Sequence, residues 1–264
     1  MLKLAITGCT GRMGRMLLKE VNQGAETEVV GALTRPGNPF VGQDIGPLIG
    51  EAPLHILISA KPEIGFKDAD VVIDFSKPEG LDAHLKAALY LQKPYVVCMT
   101  GLSTTQKAFL EEASKTLPIL IAPNTSLGIA VLRMLSLAAA KILGPSYDIS
   151  ILEMHHRDKA DAPSGTSLSI AHTLSSLERL SDNKAPYPSQ SPRPENTIEC
   201  AVLRGGGIPA DLDVIFAGEN EVLKIEHRAL DRTLFAQGAI KAAEWLYDKP
   251  AGLYSMDDVV GLAE

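Results

Sequence analysis

The sequence predicts an α/β fold, in which a doubly wound parallel sheet is joined to a second α+β domain with an open mixed sheet. Over residues 1–126, short apolar runs alternate with helical stretches, which is typical of parallel sheets. A glycine-rich turn separates the first apolar run from the first helical stretch. Between Thr197 and His227, strand-like runs follow one another without intervening helices, which indicates an antiparallel or mixed sheet.

The composition is that of an ordinary globular protein, with 45% apolar and 22% charged residues and a net charge of −7. The acidic balance argues against nucleic acid as a partner. The three cysteines, Cys9, Cys98 and Cys200, are widely spaced, so they form neither a disulfide framework nor a metal-binding pattern. With no signal peptide evident at the N-terminus, we expect a cytoplasmic protein that needs no metal.

One stretch, Leu127–Leu143, is apolar enough to raise the question of a membrane span. It is shorter than the roughly 20 residues that a span requires, and it carries Arg133 and Lys141. We therefore expect a buried helix and no membrane partner.

The first apolar run, Leu2–Thr7, is followed by the sequence GCTGRMG and then by a helix from about Arg12 to Asn22. A glycine turn between a strand and a helix is the context of a dinucleotide-binding fingerprint, and it predicts a Rossmann-type domain. The spacing is G-x-x-G-x-x-G, so the second glycine is displaced by one position. A purely structural turn is the alternative interpretation.

The second predicted strand, Glu28–Leu33, ends at Thr34-Arg35. Sites specific for NAD commonly place a carboxylate here to hold the ribose 2′-hydroxyl. Here there is no carboxylate to repel a 2′-phosphate, and Arg35, together with Arg12, can attract one. The sequence predicts that NADPH is accepted, unless Arg35 is only a solvated loop charge.

Further strands are predicted at Leu54–Ile58, Asp70–Phe75, Tyr95–Met99 and Ile119–Ala122. In a doubly wound sheet the ligand lies at the carboxyl ends of the strands. These ends are short loops rich in Gly, Ser, Thr or Asn, which suits a cofactor lying across them. Asn124 falls where a nicotinamide is expected, although a helix N-cap explains it equally well.

The stretch Glu153–Thr166, EMHHRDKADAPSGT, brings two histidines, an arginine and a lysine to the end of a predicted strand. That strand, Asp148–Met154, is inferred from Ile149, Ile151 and Met154. A helix begins near Ser164, and a helix N-terminus attracts carboxylates and phosphates. The stretch is suited to holding an acidic small molecule and giving it a proton. A polar surface loop with a capped helix is the alternative.

Several motifs together resemble one family, 4-hydroxy-tetrahydrodipicolinate reductase (dihydrodipicolinate reductase). They are GCTGRMG, DVVIDFSKPEG, NTSLGIAV, EMHHRDKADAPSGT, FAQGAIKAAEWL and GLYSMDDV, and they cover nearly the whole chain in the family's order. The resemblance implies an NADPH- or NADH-dependent reductase of 4-hydroxy-tetrahydrodipicolinate, a step in diaminopimelate and lysine biosynthesis. It also implies a homotetramer built through the sheet of the second domain.

The resemblance assigns roles to individual residues. His155 is implied as the proton donor and Lys159 as its catalytic partner. The implied ligands of the substrate, a small dicarboxylate, are His156, Ser164, Gly165 and Thr166. The implied cofactor contacts are Gly8, Cys9, Thr10, Gly11, Arg12, Met13, Gly14, Thr34, Arg35, Cys98, Thr100, Ala122, Asn124 and Thr125. The expected domains are residues 1–126 with 233–264 for the dinucleotide, and residues 127–232 for substrate and oligomerisation.

The sequence departs from the family's pattern at Thr34, at Cys98-Met99 and at Ala210 and Leu212. Two alternatives remain at this stage, a reductase of another small dicarboxylate and a non-catalytic NADP(H)-sensing protein. A panel of substrates separates the first from the expected function. Cofactor binding without turnover would indicate the second.

Overall fold

A computed structural model describes residues 1–177, 181–182 and 193–261, the pair 181–182 by its backbone alone. The chain forms two compact units, one of Met1–Leu127 with Thr233–Glu264 and the other of Gly128–Arg232. Most of the Pro- and Ser-rich segment 181–196 lies outside the described residues. The binding roles that the sequence assigns to the two domains stay predictions.

The elements are numbered along the chain. The strands are β1 (Leu2–Thr7), β2 (Thr27–Leu33), β3 (Ile58–Ser59), β4 (Val71–Asp74), β5 (Tyr95–Val97), β6 (Pro118–Ile121), β7 (Asp148–His155), β8 (Ser181–Asp182), β9 (Thr197–Arg204), β10 (Ala210–Ala217), β11 (Val222–Ala229) and β12 (Gly252–Tyr254). The α-helices are α1 (Arg12–Gln23), α2 (Ile45–Leu48), α3 (Pro62–Gly65), α4 (Leu81–Leu91), α5 (Thr104–Ala113), α6 (Leu127–Leu143), α7 (Gly165–Ser175), α8 (Thr233–Leu246) and α9 (Met256–Val259).

The first unit is built on a seven-stranded sheet in the order β12-β6-β5-β4-β1-β2-β3, in which every pairing is parallel. Strands β4 and β5 are buried at every position, as expected for a sheet covered on both faces. The carboxyl ends of β1, β2, β4, β5 and β6 therefore share one edge. The predicted doubly wound sheet is confirmed.

One predicted strand is wrong. The chain over Leu54–Ile58 is irregular, and only Ile58 enters the sheet, in the two-residue strand β3. The carboxylate of Asp44 accepts hydrogen bonds from the backbone N–H groups of Leu54 (2.8 Å) and Ile56 (3.0 Å). A side chain thus takes the donors that a sheet ladder would have used, a competition that the apolar pattern does not reveal.

The second unit contains a mixed five-stranded sheet in the order β11-β10-β7-β9-β8. β10 pairs antiparallel with β7 and β11, whereas β7–β9 and β9–β8 are parallel. On β7 the buried face carries Ile149, Ile151, Glu153 and His155. The predicted strand Asp148–Met154 is confirmed and extends to His155, although alternation along the strand places Met154 on the face opposite Ile149 and Ile151.

Helix α6 has its expected bounds, but it is buried on one face only. Ile129, Leu132 and Ala140 join the core of the second unit, whereas Leu135 is 50% and Ile142 83% exposed. Among the described residues, Leu127–Ser146 is the one helical stretch apolar and long enough to cross a membrane, and only 28% of its most apolar window is buried. The absence of a membrane partner stays a prediction.

Candidate active site

The glycine turn after β1 brings three backbone segments into close approach. Gly8 has φ +67°, and a Cβ on it would lie 2.6 Å from the carbonyl oxygen of Phe75. A Cβ on Gly14 would lie 2.2 Å from the carbonyl oxygen of Gly8, so α1 packs tightly onto the turn. No side chain caps the N-terminus of α1 at Gly11, and its first turn carries no acid. This cradle fits a dinucleotide pyrophosphate, which binds to backbone N–H groups at a helix N-terminus.

The thiol of Cys9 lies inside this turn and is fully buried. Burial raises its pKa to about 12 despite opposing hydrogen bonds and the charge of Arg15. Only the backbone of Cys9 can therefore contact a cofactor. The thiol of Cys98 is buried as well, and burial together with the charge of Asp74 raises its pKa well above the usual value.

We expect Cys9 and Cys98 to react slowly with a thiol reagent in the native protein, because the reactive thiolate is almost absent and the sulfurs are inaccessible. Titration with an aromatic disulfide should show both thiols reacting fully only after unfolding. Cys9→Ser should leave turnover within about threefold of wild type, since no charged thiolate is lost. Rapid modification of Cys9 in the native state would contradict this prediction.

The end of β2 offers neutral polar groups. Thr34 is buried, and its hydroxyl lies 2.9 Å from that of Thr10, which also accepts a hydrogen bond from the Asn38 amide at 3.3 Å. Arg35 is exposed beside them. This arrangement fits the sequence-based prediction that a 2′-phosphate is tolerated here.

A buried carboxylate, Asp74, anchors the loop after β4. It accepts hydrogen bonds from the hydroxyls of Thr7 and Tyr95, from the Ser76 backbone N–H (2.8 Å) and from His84 Nδ1 (2.9 Å). Burial would raise the pKa of Asp74, but the hydrogen bond and charge of His84, with the other hydrogen bonds, hold it below its usual value. Asp74 thus joins β1, β4, β5 and α4 at the edge of the sheet where the carboxyl ends of the strands meet.

The loops after β5 and β6 complete this edge. Thr100 is exposed, whereas Ala122 is buried and donates its N–H to the Val97 carbonyl at 2.8 Å. The Asn124 side chain accepts from the Ser126 N–H at 2.9 Å, a local turn. The buried Thr125 hydroxyl donates to the Phe235 carbonyl at 2.6 Å, so it fastens α8 to this loop. For Ala122 and Thr125, only backbone groups can reach a cofactor.

In the second unit, His155 stands at the last position of β7. Its side chain is 10% exposed, and its Nδ1 lies 3.8 Å from Oε1 of Glu153. Among the described residues, no group forms a hydrogen bond with this Nδ1. Burial lowers the pKa of His155, the charges of Lys159 and Arg204 lower it further, and those of Glu153 and Asp161 raise it.

Glu153 is the fully buried carboxylate beneath this site. It accepts the Ser164 backbone N–H at 3.0 Å and the Ser167 hydroxyl, and Nη2 of Arg204 at 3.0 Å. Burial would raise the pKa of Glu153, but these hydrogen bonds outweigh it and hold the pKa below its usual value. Glu153 therefore stays ionised at neutral pH and ties the start of α7 to the sheet.

Arg204, at the end of β9, spans the loop between β7 and α7. Besides Glu153, its guanidinium donates to the backbone carbonyls of Lys159 (3.3 Å) and Asp161 (2.6 Å). The Lys159 ammonium contacts both carboxylate oxygens of Asp161, at 2.7 and 2.8 Å. Because the Asp161 side chain is 58% exposed, this ion pair is weak enough for an incoming carboxylate to displace.

Helix α7 begins at the Ser164 N-cap, whose hydroxyl accepts the Ser167 N–H at 3.2 Å. Gly165 is exposed, and a Cβ on it would meet no described atom within 4 Å. The first turn of α7 contains no acid. The open space and the helix dipole suit a carboxylate. Ser164 itself is buried, so its hydroxyl is a cap, whereas Gly165 is exposed and Thr166 and His156 are half-buried.

Sequence reasoning missed Glu153 and Arg204 beside His155 in the second unit, and Asp74 at the end of β4 in the first. A period of two along β7 would have placed Glu153 on the same buried face as Ile151 and His155, and a carboxylate at such a position needs partners. Arg204 gave no comparable signal, because only the pairing of β7 with β9 brings it to His155.

Two family models match almost the entire chain, that for the N-terminus of dihydrodipicolinate reductase at residues 2–125 and that for its C-terminus at residues 128–260. The chain belongs to the dihydrodipicolinate reductase family. Among curated proteins, 4-hydroxy-tetrahydrodipicolinate reductase of Burkholderia vietnamiensis is 42% identical over 99% of this chain and 100% of its own length. That of Magnetococcus marinus is 38% identical, covering 98% of both chains.

The fold is also that of a solved member of the family. The dipicolinate-bound dihydrodipicolinate reductase from Paenisporosarcina sp. TG-14 superimposes with a TM-score of 0.79 at 21% identity, covering 98% of this chain and 99% of the other. Family membership makes the protein an NAD(P)H-dependent oxidoreductase. The predicted family, fold class, enzyme class and cofactor are thereby confirmed.

Proposed function

We propose that this protein reduces 4-hydroxy-tetrahydrodipicolinate to tetrahydrodipicolinate in lysine and diaminopimelate biosynthesis, with His155 as the proton donor and Lys159 as its partner. The observation that carries the proposal is the grouping of His155, Lys159 and the open N-terminus of α7 in one unit. The family's name and the names of its relatives agree with this activity.

The substrate's carboxylates find complementary groups around this loop. One carboxylate can bind at the N-terminus of α7, where a Cβ on the exposed Gly165 would meet no described atom within 4 Å. Thr166 and His156, both half-buried, are its proposed further ligands. A carboxylate can also replace Asp161 as the partner of Lys159, because the existing ion pair is exposed. The buried Glu153 does not compete, since Ser164, Ser167 and Arg204 already occupy it.

The proton step depends on the charge state of His155. When bound, the nicotinamide cofactor supplies a hydride, and the reaction then needs one proton at a neighbouring carbon. Burial lowers the pKa of His155 in the free protein, so the imidazole is mainly neutral at pH 7. Two substrate carboxylates would favour the imidazolium again, so substrate binding itself charges the acid that the reaction needs.

The assay that tests this function follows the loss of reduced-nicotinamide absorbance with enzymatically generated substrate. NADPH and NADH are compared in parallel, with other small dicarboxylates as a panel. Turnover restricted to the proposed substrate is expected. Cofactor binding without turnover would favour an NADP(H)-sensing protein, and turnover of another dicarboxylate alone would reassign the substrate.

NADPH should be accepted, because the end of β2 carries Arg35 and no carboxylate that would repel a 2′-phosphate. Arg35→Ala is expected to raise KM for NADPH by about tenfold, as an exposed charge-assisted contact is lost. KM for NADH in the same variant is the internal control and should change by less than about twofold. An equal rise for both cofactors would place Arg35 outside the phosphate site.

A homotetramer and a cytoplasmic location belong to the same proposal. Helices cover one face of the second sheet, while the opposite face carries Leu152, Met154 and Leu203, the last of them 48% exposed. An apolar sheet face of this kind supports association through the second unit. Analytical ultracentrifugation should give the mass of four chains, and Leu203→Glu should lower it.

A further inference from the structure

We propose that Glu153 is the positioning residue of the proton donor, holding the Nδ1–H of His155 so that Nε2 is the nitrogen that gives and regains the proton. This inference rests on the proposed function. It assigns a role to a carboxylate that the sequence did not identify as part of the site.

The geometry of β7 places Glu153 beside His155. Glu153 and His155 are two positions apart on β7, so their side chains leave the same face of the sheet. The Nδ1–Oε1 distance is 3.8 Å, and a movement of about 1 Å closes it to a hydrogen bond. Because this buried Nδ1 has no other hydrogen-bond partner among the described residues, Glu153 is the acceptor within reach.

The ionised Glu153 also sets the tautomer of His155. A lone pair on Nδ1 facing an ionised carboxylate would be repelled, so the proton of the neutral ring belongs on Nδ1. Nε2 is then the titrating atom. In the reaction the Nε2–H bond breaks as a C–H bond forms on the substrate, the ring is left neutral with its Nδ1–H intact, and Nε2 is reprotonated from water.

Glu153 is held rigidly enough for this role. Its carboxylate is held from three sides, by the Ser164 N–H, by the Ser167 hydroxyl and by Arg204. Oε2 accepts the Ser167 hydroxyl and the shorter of the two contacts from the Ser164 N–H. Oε1 faces Arg204 and His155. One carboxylate therefore fixes both the start of α7 and the imidazole.

The charged groups that act on His155 come from every element around it. They are Glu153 on β7, Lys159 and Asp161 in the following loop, and Arg204 on β9. Two are positive and two are negative, so removing Glu153 leaves a net positive surrounding that disfavours the imidazolium. Glu153→Gln should therefore lower the pKa of His155.

The kinetic test compares Glu153→Gln with Ser167→Ala. Glu153→Gln is expected to lower kcat by about 100-fold or more and to move the alkaline decline of kcat to lower pH, because the acid form is lost earlier. Ser167→Ala loosens the start of α7 with the charge intact, so KM should rise while the midpoint of the decline stays. Glu153→Asp should restore the wild-type midpoint.

The decisive measurement does not need turnover. Histidine labelled with ¹⁵N, assigned against His155→Gln among the six histidines, reports the tautomer and the titration of His155. The Nδ1–H tautomer in wild type, with a lower midpoint in Glu153→Gln and recovery in Glu153→Asp, is expected. An Nε2–H tautomer or an unchanged midpoint would overturn the role of Glu153, even if the reductase activity is established, and absent turnover would count only against the proposed function.

Discussion

Replacing His155 by alanine should lower kcat by about 100- to 10,000-fold, because general acid catalysis by a positioned side chain contributes on that order. His155 is the proposed donor, lies at the end of β7 and is 10% exposed, so its loss removes a placed and largely desolvated acid. KM should change much less, since the substrate's carboxylates bind elsewhere. Steady-state kinetics with saturating NADPH measures both values.

Two other histidines provide the comparison. His156→Ala should mainly raise KM, because His156 is proposed to bind a carboxylate. His172→Ala is the matched control, since His172 is exposed within α7 and takes no part in the proposed site. Retention of most of kcat in His155→Ala, or an equal loss in His172→Ala, would refute the assignment of the proton donor.

Asp74→Asn should destabilise the first unit by about 3 kcal/mol or more, as expected when one partner of a buried polar network is removed. The amide cannot accept from the Thr7 and Tyr95 hydroxyls, the Ser76 N–H and His84 together, so buried donors lose their acceptor. The urea midpoint of the unfolding transition should fall accordingly, and cofactor affinity should weaken because the loop after β4 is released.

The control for this substitution is Asp70→Asn. Asp70 accepts one hydrogen bond, from the Lys3 backbone N–H at 2.8 Å, in an exposed position, so the change should lower the free energy of unfolding by less than about 1 kcal/mol.

The pH dependence of stability gives a second check. The pKa of Asp74 is lowered in the folded state, so its contribution is complete above about pH 4 and is lost as the pH falls through the folded-state pKa. Equal midpoints for wild type and Asp74→Asn at neutral pH would contradict the prediction.

The sequence by itself determined the parallel sheet and the mixed sheet, because apolar periodicity and glycine spacing are local signals. β1, the glycine turn and α1 follow one another along the chain, so Gly8 and Gly14 could be recognised in place. The cationic cluster that contains His155 and Lys159 was found in the same way, at the end of a strand, and the family resemblance then implied the role of each residue. The sequence also showed directly that the end of β2, at Thr34, carries no carboxylate that would repel a 2′-phosphate.

Only the tertiary structure decided which groups meet across the chain. The partners of Asp74 come from positions 7, 76, 84 and 95, and Arg204 reaches Glu153 because β9 pairs with β7. The structure also showed that Asp44 disrupts the strand expected at Leu54–Ile58. Hydrogen bonds over such separations depend on topology, and a residue's type does not reveal which distant donor will face it once the chain has folded.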